Sequence, residues 1–112
     1  MAFLKASREG IGPLWRMVNV EDTFPIPSVG AIVGRSLLNR VVIDGRYKNW
    51  RTVVPHHAHI YSLDEKWFIE SLAAEEMPVL VNGSPVEAAP LRDGDRIQIG
   101  DVEFTFSTET DD

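Results

Sequence analysis

Cysteine is absent from the 112 residues, which excludes disulfide bonds and thiolate metal sites. Long apolar runs are also absent, since no stretch approaches the roughly 18 apolar residues of a membrane-spanning helix. The start, MAFLKASREG, lacks the long apolar core and small-residue cleavage site of a signal peptide. A chain of this length forms about one domain. We therefore expect a soluble, cytoplasmic domain that does not insert into membranes.

Basic residues are scarce. The chain has 11 Lys and Arg against 17 Asp and Glu, for a net charge of −6. Proteins that bind nucleic acids need clustered Lys and Arg to neutralise phosphates. The charge balance therefore argues against a nucleic-acid partner.

Three histidines lie close together, at His56, His57 and His59. Side chains alternate along a strand, so His56 is expected to point away from the other two. Two imidazoles fall short of the three or four ligands of a zinc site, and Asp64 and Glu65 lie too far along the strand. No neighbouring residue pattern indicates a nucleophile with its base. We predict no metal, no cofactor and no enzymatic activity.

Turn residues divide the chain into short runs rich in Val, Ile, Phe and Trp, which is typical of many short strands. Asn82-Gly83 between two extended runs is a strong hairpin signal. Apolar residues alternate with polar ones over 96–99 and 102–106. The pattern predicts a mostly antiparallel β protein, a sandwich or a barrel. Further strands are predicted at 13–21, 31–36, 40–44 and 57–63, with an edge segment at the proline-rich 22–30.

The segment 62–77 leaves its local structure open. Ser62 and Glu65 match a helix capping box, and residues 73–76 are good helix formers. Its apolar residues fit neither the helical nor the strand period. Local propensity alone slightly favours a helix.

The order of the motifs resembles that of a forkhead-associated (FHA) domain from about Gly30 to Phe106. The motifs are GR at 34–35, HHAHI at 56–60, WFIE at 67–70, VLVNGSPV at 79–86 and LRDGDRIQIGDVEFTF at 91–106, the last being the most specific. The resemblance implies an all-β, two-sheet antiparallel β-sandwich of about eleven short strands over 13–107. A lead-in at 1–12 and an acidic tail at 108–112 would flank it. It also makes 67–70 a strand and 72–78 a loop.

The usual ligand of this family is a phosphothreonine peptide, bound by loops at one end. The resemblance gives Arg35, after Gly34, the role of phosphate-binding guanidinium. It gives His57 the role of loop brace, and places Val54 where the family has a phosphate-binding Ser. Thr52 could replace that Ser only if the loop is rearranged.

The family's Asn of the loop after the Trp strand falls on Glu76 or Met77. Glu75 and Glu76 would repel a phosphate, each by about 1 to 3 kcal/mol at roughly 6 Å. Arg46, Lys48 and Arg51 could offset this, but we expect them to pair with the two glutamates and close the site.

Two functions follow from these residues. The first is a protein–protein interaction module that binds its partner without phosphothreonine, in a bacterial signalling setting. The alternative is a phosphothreonine reader in which Arg35 is helped by donors from the 46–52 loop. Trp50 could anchor a partner or plug its own loop, whereas Trp15 and Trp67 are expected in the core or on a sheet face. The oligomeric state stays open. The predicted partner-binding residues are Arg35, Ser36, Lys48, Trp50, Arg51, Thr52 and Asn82, and the predicted structural residues are Gly34, His57 and Gly83.

Overall fold

The chain folds into two β-sheets packed face to face, as seen in a computed structural model that describes residues 2–108. A single turn of 3-10 helix lies at Trp50–Thr52, and a turn in which Leu14 and Trp15 have positive φ lies at Pro13–Trp15. No helix among the described residues is long and apolar enough to cross a membrane. The eleven strands are β1 (Ala2–Ile11), β2 (Met17–Ile26), β3 (Ala31–Gly34), β4 (Val41–Val42), β5 (Ala58–Leu63), β6 (Lys66–Ser71), β7 (Val79–Val81), β8 (Ser84–Val86), β9 (Ala88–Leu91), β10 (Arg96–Ile99) and β11 (Val102–Thr108).

The six-stranded sheet has the order β2-β1-β11-β10-β7-β8, and the five-stranded sheet has the order β4-β3-β5-β6-β9. Paired strands are antiparallel, with the exception of β3 and β4, which run parallel where Val33 meets Val41. Alternate residues of β10 and β11 are buried between the sheets, as the period of two predicts. The predicted two-sheet all-β sandwich is confirmed.

The segment 62–77, for which the sequence left helix and strand undecided, contains the end of β5, the strand β6 and the loop that follows it. Ile69 in β6 pairs with Ile60 on one side and Ala89 on the other, and it is buried. Pairing on both sides and burial of one face outweigh the local helix propensity. The helix is therefore excluded, and the strand that the family resemblance implied is confirmed.

The N-terminal boundary was predicted wrongly. Residues 2–11 form β1, between β2 and β11, where the sequence analysis placed a lead-in. Only small or single apolar side chains of β1 face the core (Ala2, Leu4 and Ala6), so its alternation is weak in the sequence. Of the predicted acidic tail at 108–112, Thr108 is the last residue of β11. Residues 109–112 lie outside the described part of the chain.

The second predicted strand boundary also shifts. The run 13–21 begins with a turn, and β2 starts only at Met17. Trp15, expected in the core or on a sheet face, lies in that turn and is 86% exposed. The proline-rich segment is the end of β2, with Pro25 on the sheet edge, as expected for a residue without an N–H.

Candidate functional site

Gly34 ends β3 and allows a close approach of the backbone of residues 53–55. A Cβ built on Gly34 would lie 2.2 Å from the carbonyl oxygen of Pro55, closer than any side chain allows. His57 N–H donates to Val33 C=O at 2.9 Å and continues this contact into β5. Glycine is therefore required at position 34 because the two segments touch through their backbones.

Three consecutive carbonyls of the segment 53–55 face the loop after β3. The Val53 carbonyl accepts from Arg35 Nε, and the Val54 carbonyl accepts from the Arg35 backbone N–H at 3.2 Å. The Pro55 carbonyl accepts from Ser36 N–H at 3.2 Å and from Asn39 Nδ2 at 2.6 Å. One of the donors of the Arg35 guanidinium, Nε–H, is thus already used within the chain.

His57 is completely buried and connects two loops of the same end. Its Nδ1 accepts from Val54 N–H at 3.1 Å, and its Nε2 donates to Met77 C=O at 2.9 Å. Its own C=O accepts from Leu72 N–H at 3.0 Å. Burial lowers the pKa of His57 below its usual value of 6.5. The ring is therefore neutral with its hydrogen on Nε2, the tautomer that both bonds require.

The other two histidines contact different residues. His56 lies in a bend before β5, not in a strand as expected, and its Nδ1 is 2.8 Å from Asn39 Oδ1. His59 lies in β5, with Nδ1 3.6 Å from Glu70 Oε1 and its ring stacked on Tyr61. The three rings are thus used singly.

Thr52 joins two turns through its hydroxyl. Its Oγ1 donates to Asn49 C=O at 2.7 Å and accepts from Asp101 N–H at 2.7 Å. Gly100 allows this contact, because a Cβ there would lie 2.6 Å from Thr52 Oγ1. A hydroxyl has one hydrogen to donate. Thr52 could bind a phosphate only by giving up its bond to Asn49.

The 46–51 loop folds back on its own domain. Trp50 is half-buried and packs against the core, and the Arg51 guanidinium lies 5.4 Å from its ring centre. Arg46 Nε pairs with Asp44 Oδ1 at 2.9 Å. Lys48 is exposed beside the β1–β2 hairpin. Of the two readings of Trp50, the geometry matches the loop plug.

Closure of the site by ion pairs, which we expected, is wrong for the residues that the structure describes. Within 2–108, Glu75 and Glu76 pair with none of the loop's basic residues, and both are exposed. The two carboxylates lie in the loop that His57 holds through Met77. Arg46 pairs instead with Asp44, two residues away, which orders less chain than a distant partner would.

Tyr47 is a contact that the sequence analysis missed. It is buried, and its hydroxyl donates to Asp22 Oδ2, which also accepts from Arg8 Nε at 2.7 Å. Burial, together with the bond to Asp22, raises the pKa of Tyr47 well above its usual value. The long loop after β4 is thereby fixed to the β1–β2 hairpin. An apolar body with a polar tip, between basic neighbours in RYKNWR, is the one signal that the sequence offered.

Two leucines are also missed and are the most exposed apolar residues at this end. Leu37 is 85% exposed and Leu38 is 93% exposed, next to Arg35. The Leu38 N–H donates to Ser36 Oγ at 3.2 Å, which fixes the loop that carries both side chains. The signal was available, because SLLN places two leucines between polar loop residues.

Asn82 lies at the opposite end of the sandwich. It has φ of 50° in the β7–β8 turn, followed by Gly83 with φ of 85°. Its side chain bonds Asp95 and the N–H of Arg96, at the end of β10 away from the 100–101 turn. Asn82 was predicted to bind the partner together with Arg35 and the 48–52 loop, but the structure places it away from them. We refer below to the end with loops 35–40, 43–57 and 72–78 as the recognition end.

The comparison with protein families decides the identity of the fold. A model of the FHA domain matches residues 31–100, which are 70 of the 112 residues. The chain belongs to the FHA domain family. A search of curated proteins finds no match to this FHA domain.

Solved FHA domains share the architecture of this FHA domain. EmbR of Mycobacterium tuberculosis, in complex with a low affinity phosphopeptide, is 27% identical with a TM-score of 0.65, over 93% of this chain and 24% of that one. The second FHA domain of a Mycobacterium tuberculosis ABC transporter is 28% identical with a TM-score of 0.60, over 76% and 73%. An FHA domain of Chlamydia trachomatis, 19% identical with a TM-score of 0.66 over 98% and 100%, shares the fold.

Replacing Gly34 by Ala should destabilise the domain by about 3 kcal/mol, because the added methyl would overlap the Pro55 carbonyl and neither backbone can retreat cheaply. Urea unfolding measures the loss. Gly45→Ala is the control, since a Cβ there has no neighbour closer than 3.8 Å. Equal stability of the two variants would contradict the close approach.

Replacing His57 by Gln should lower the stability at pH 7.5 by about 1 to 3 kcal/mol, since two buried hydrogen bonds are disturbed. It should also flatten the pH dependence. The folded protein keeps His57 neutral, whereas the unfolded chain takes up a proton near pH 6.5. The contribution of the neutral His57 ring to the free energy of unfolding is therefore complete above pH 6.5. Below that pH it falls, by up to about 1.4 kcal/mol per pH unit.

Urea unfolding between pH 7.5 and 5 checks this pH dependence. His56→Gln and His59→Gln are the controls and should keep the slope of the parent protein. A slope that survives in the His57 variant and disappears in either control would assign the titration to another ring.

Proposed function

We propose that this FHA domain is a protein-interaction module whose recognition end binds a protein partner without requiring phosphothreonine. The observation that supports this most directly is the use of Arg35 Nε by the Val53 carbonyl, beside two residues that offer a phosphate no side-chain donor, Val54 and Pro55. The role is binding and not catalysis. The cytoplasmic bacterial signalling setting stays a prediction from the sequence.

A phosphate at this end would meet few donors. The Val54 N–H donates to His57, and Pro55 has no N–H. The Thr52 hydroxyl donates to Asn49. Ser36 keeps a hydroxyl hydrogen for a ligand, because its Oγ only accepts, from Leu38. Arg35 and Ser36 alone would have to offset the desolvation of a dianion near two exposed carboxylates.

The recognition end fits an apolar partner surface better than it fits a phosphate. Leu37 and Leu38 present two nearly unburied side chains next to the Arg35 guanidinium. Their loop is fixed by the bonds of Asn39 and Ser36 to the Pro55 carbonyl, so little conformational entropy is lost on binding. The fully buried centre of an interface is more apolar than the rest of the surface, and Arg is enriched in interfaces. We infer a partner with an apolar pocket and an acceptor group beside it.

Phosphothreonine peptides should bind this FHA domain no better than their unphosphorylated forms. Fluorescence anisotropy with a degenerate phosphothreonine library and the matching threonine library measures the difference. Adding a hydroxyl and removing two charges, in Val54→Ser with Glu75→Gln and Glu76→Gln, should raise the phosphate-dependent affinity about tenfold or more. Micromolar phosphate-dependent binding by the parent protein, abolished in Arg35→Ala, would establish the alternative, a phosphothreonine reader.

A photo-crosslinking amino acid at position 38 should join the domain to its partner in living cells, because Leu38 lies at the centre of the proposed surface. The same label at position 82, at the far end, is the control. Leu37→Glu should reduce the position-38 product about tenfold, since a buried charge is costly. A product that is equal from both labels, or that is insensitive to Leu37→Glu, would contradict the proposed surface.

A further inference from the structure

β2 is the one long, unprotected edge strand among residues 2–108. The other three edges are blunted: β4 has two residues, β8 has three with Pro85, and β9 has four with Pro90. β2 has ten residues, and its first eight, Met17–Phe24, contain no proline. Open edges pair readily with another strand, so proteins usually shorten, charge or cover them.

The hairpin turn sets which backbone groups of β2 point outward. Gly12 N–H donates to Arg16 C=O at 2.7 Å, and the β1–β2 register continues from there. Hydrogen-bonded and non-hydrogen-bonded pairs alternate in an antiparallel ladder. The odd-numbered residues of β2 therefore face away from β1 with their N–H and C=O groups. Pro25 is also odd-numbered, so the N–H that proline lacks would have faced away from β1 and no β1–β2 hydrogen bond is lost.

On the inner face, residues 16–22 are complementary to themselves about Asn19. In an antiparallel pair with a two-fold axis at Asn19, Val18 lies opposite Val20 of the second copy on the inner face. Arg16 then lies opposite the second copy's Asp22 on that face. Symmetry repeats both pairs, and cross-strand apolar and opposite-charge pairs are favourable.

Two other symmetric registers, with axes at Val20 and Glu21, are worse. An axis at Glu21 would place two carboxylates opposite each other, and an axis at Val20 would place Val18 opposite Asp22. Like charges that face each other destabilise a strand pair. The alternation of side chains allows only residues of the same face to be opposite. Of these three registers, the one at Asn19 is therefore preferred.

We propose that two copies of this chain associate through β2, antiparallel about Asn19, and join their six-stranded sheets into one continuous sheet. Asp22 can take part without losing its present contacts. Arg8 and Tyr47 both bond its Oδ2. The other oxygen, Oδ1, is left for Arg16 of the second copy.

The shape of the β1–β2 hairpin leaves room for the second copy. β11 pairs with β1 only over Ala2–Lys5, so the hairpin continues past the end of the sandwich as a two-stranded ribbon. Gly10 and Gly12 keep this ribbon thin under Val20 and Val18, because a Cβ on either glycine would lie 2.8 Å from a valine methyl. A second ribbon can thus lie along the open edge of β2, and its turn then reaches residues 23–24, where β1 is paired with β11.

The turn of the ribbon gains a surface in this pair. Leu14 and Trp15 are each 86% exposed, and both have φ of 60°, which is unfavourable for residues with a Cβ. Within one copy neither side chain packs against the core. In the proposed pair the turn lies beside residues 23–24 of the second copy, where two bulky apolar side chains can pack.

Sedimentation equilibrium tests the association, which does not depend on the proposed function. The parent protein should form a dimer of two 12.6 kDa chains. Asn19→Pro removes an outward N–H at the axis in both copies and should weaken dimerisation about tenfold or more. Asn19→Ala is the matched control, because it keeps the outward N–H at the same position and should leave the dimer intact.

Circular dichroism of both variants should match that of the parent protein. A parent protein that stays monomeric up to about 0.5 mM, or a dimer that both variants weaken equally, would overturn the proposal.

Disulfide cross-linking tests the register without proline. The chain has no cysteine, so Asn19→Cys introduces a single thiol. In the proposed pair the two Cα atoms at position 19 are about 5.5 Å apart, within disulfide range. Glu21→Cys has the same exposure and face but no symmetric neighbour, and should cross-link at least about tenfold more slowly. Equal rates, or no cross-link in either variant, would reject the register.

Discussion

The recognition end depends on the backbone contact between Gly34 and the segment 53–55. Because position 34 has no Cβ, the Pro55 carbonyl can lie where a side chain would otherwise be. The three carbonyls of the segment then accept hydrogen bonds from Arg35, Ser36 and Asn39. The direction of the Arg35 side chain and the position of His57 under the next loop both follow from this contact.

The same bonds that order this end reduce what it can offer a phosphate. Each loop is held by a donor that a phosphate would need: the Thr52 hydroxyl, the Val54 N–H and Arg35 Nε. Ordered loops lower the entropic cost of binding, but their donors are spent inside the protein. A surface of this kind favours a partner that brings apolar area and asks for few new hydrogen bonds.

The order of the motifs and the alternation of apolar residues were enough to predict most of the fold. Contacts between segments that are distant in the sequence could not be predicted. The period of two over 96–106 and the Asn-Gly turn predicted strands correctly. β1 was missed because Ala2 and Ala6, which fill its inner face, give little apolar signal. Tyr47 and Asp22 are 25 positions apart, and Thr52 and Asp101 are 49 apart, so only the folded chain brings them together. Asn82 was placed at the wrong end because a motif does not tell in which direction its strand runs.

The two ends of the described chain lie side by side, which bears on how the domain responds to force. Ala2 pairs with Thr108, and Thr108 N–H donates to Asp93, at the end of the sandwich opposite Arg35. A force that separates the two ends acts first on the last residue pair of the β1–β11 ladder. The hydrogen bonds of the ladder are then loaded one after another, which is the unzipping geometry. Such a geometry resists little tension, since the bonds break in sequence and not together. Held by both ends, the module would peel open from its anchored side, and the recognition end would be among the last parts to lose its shape.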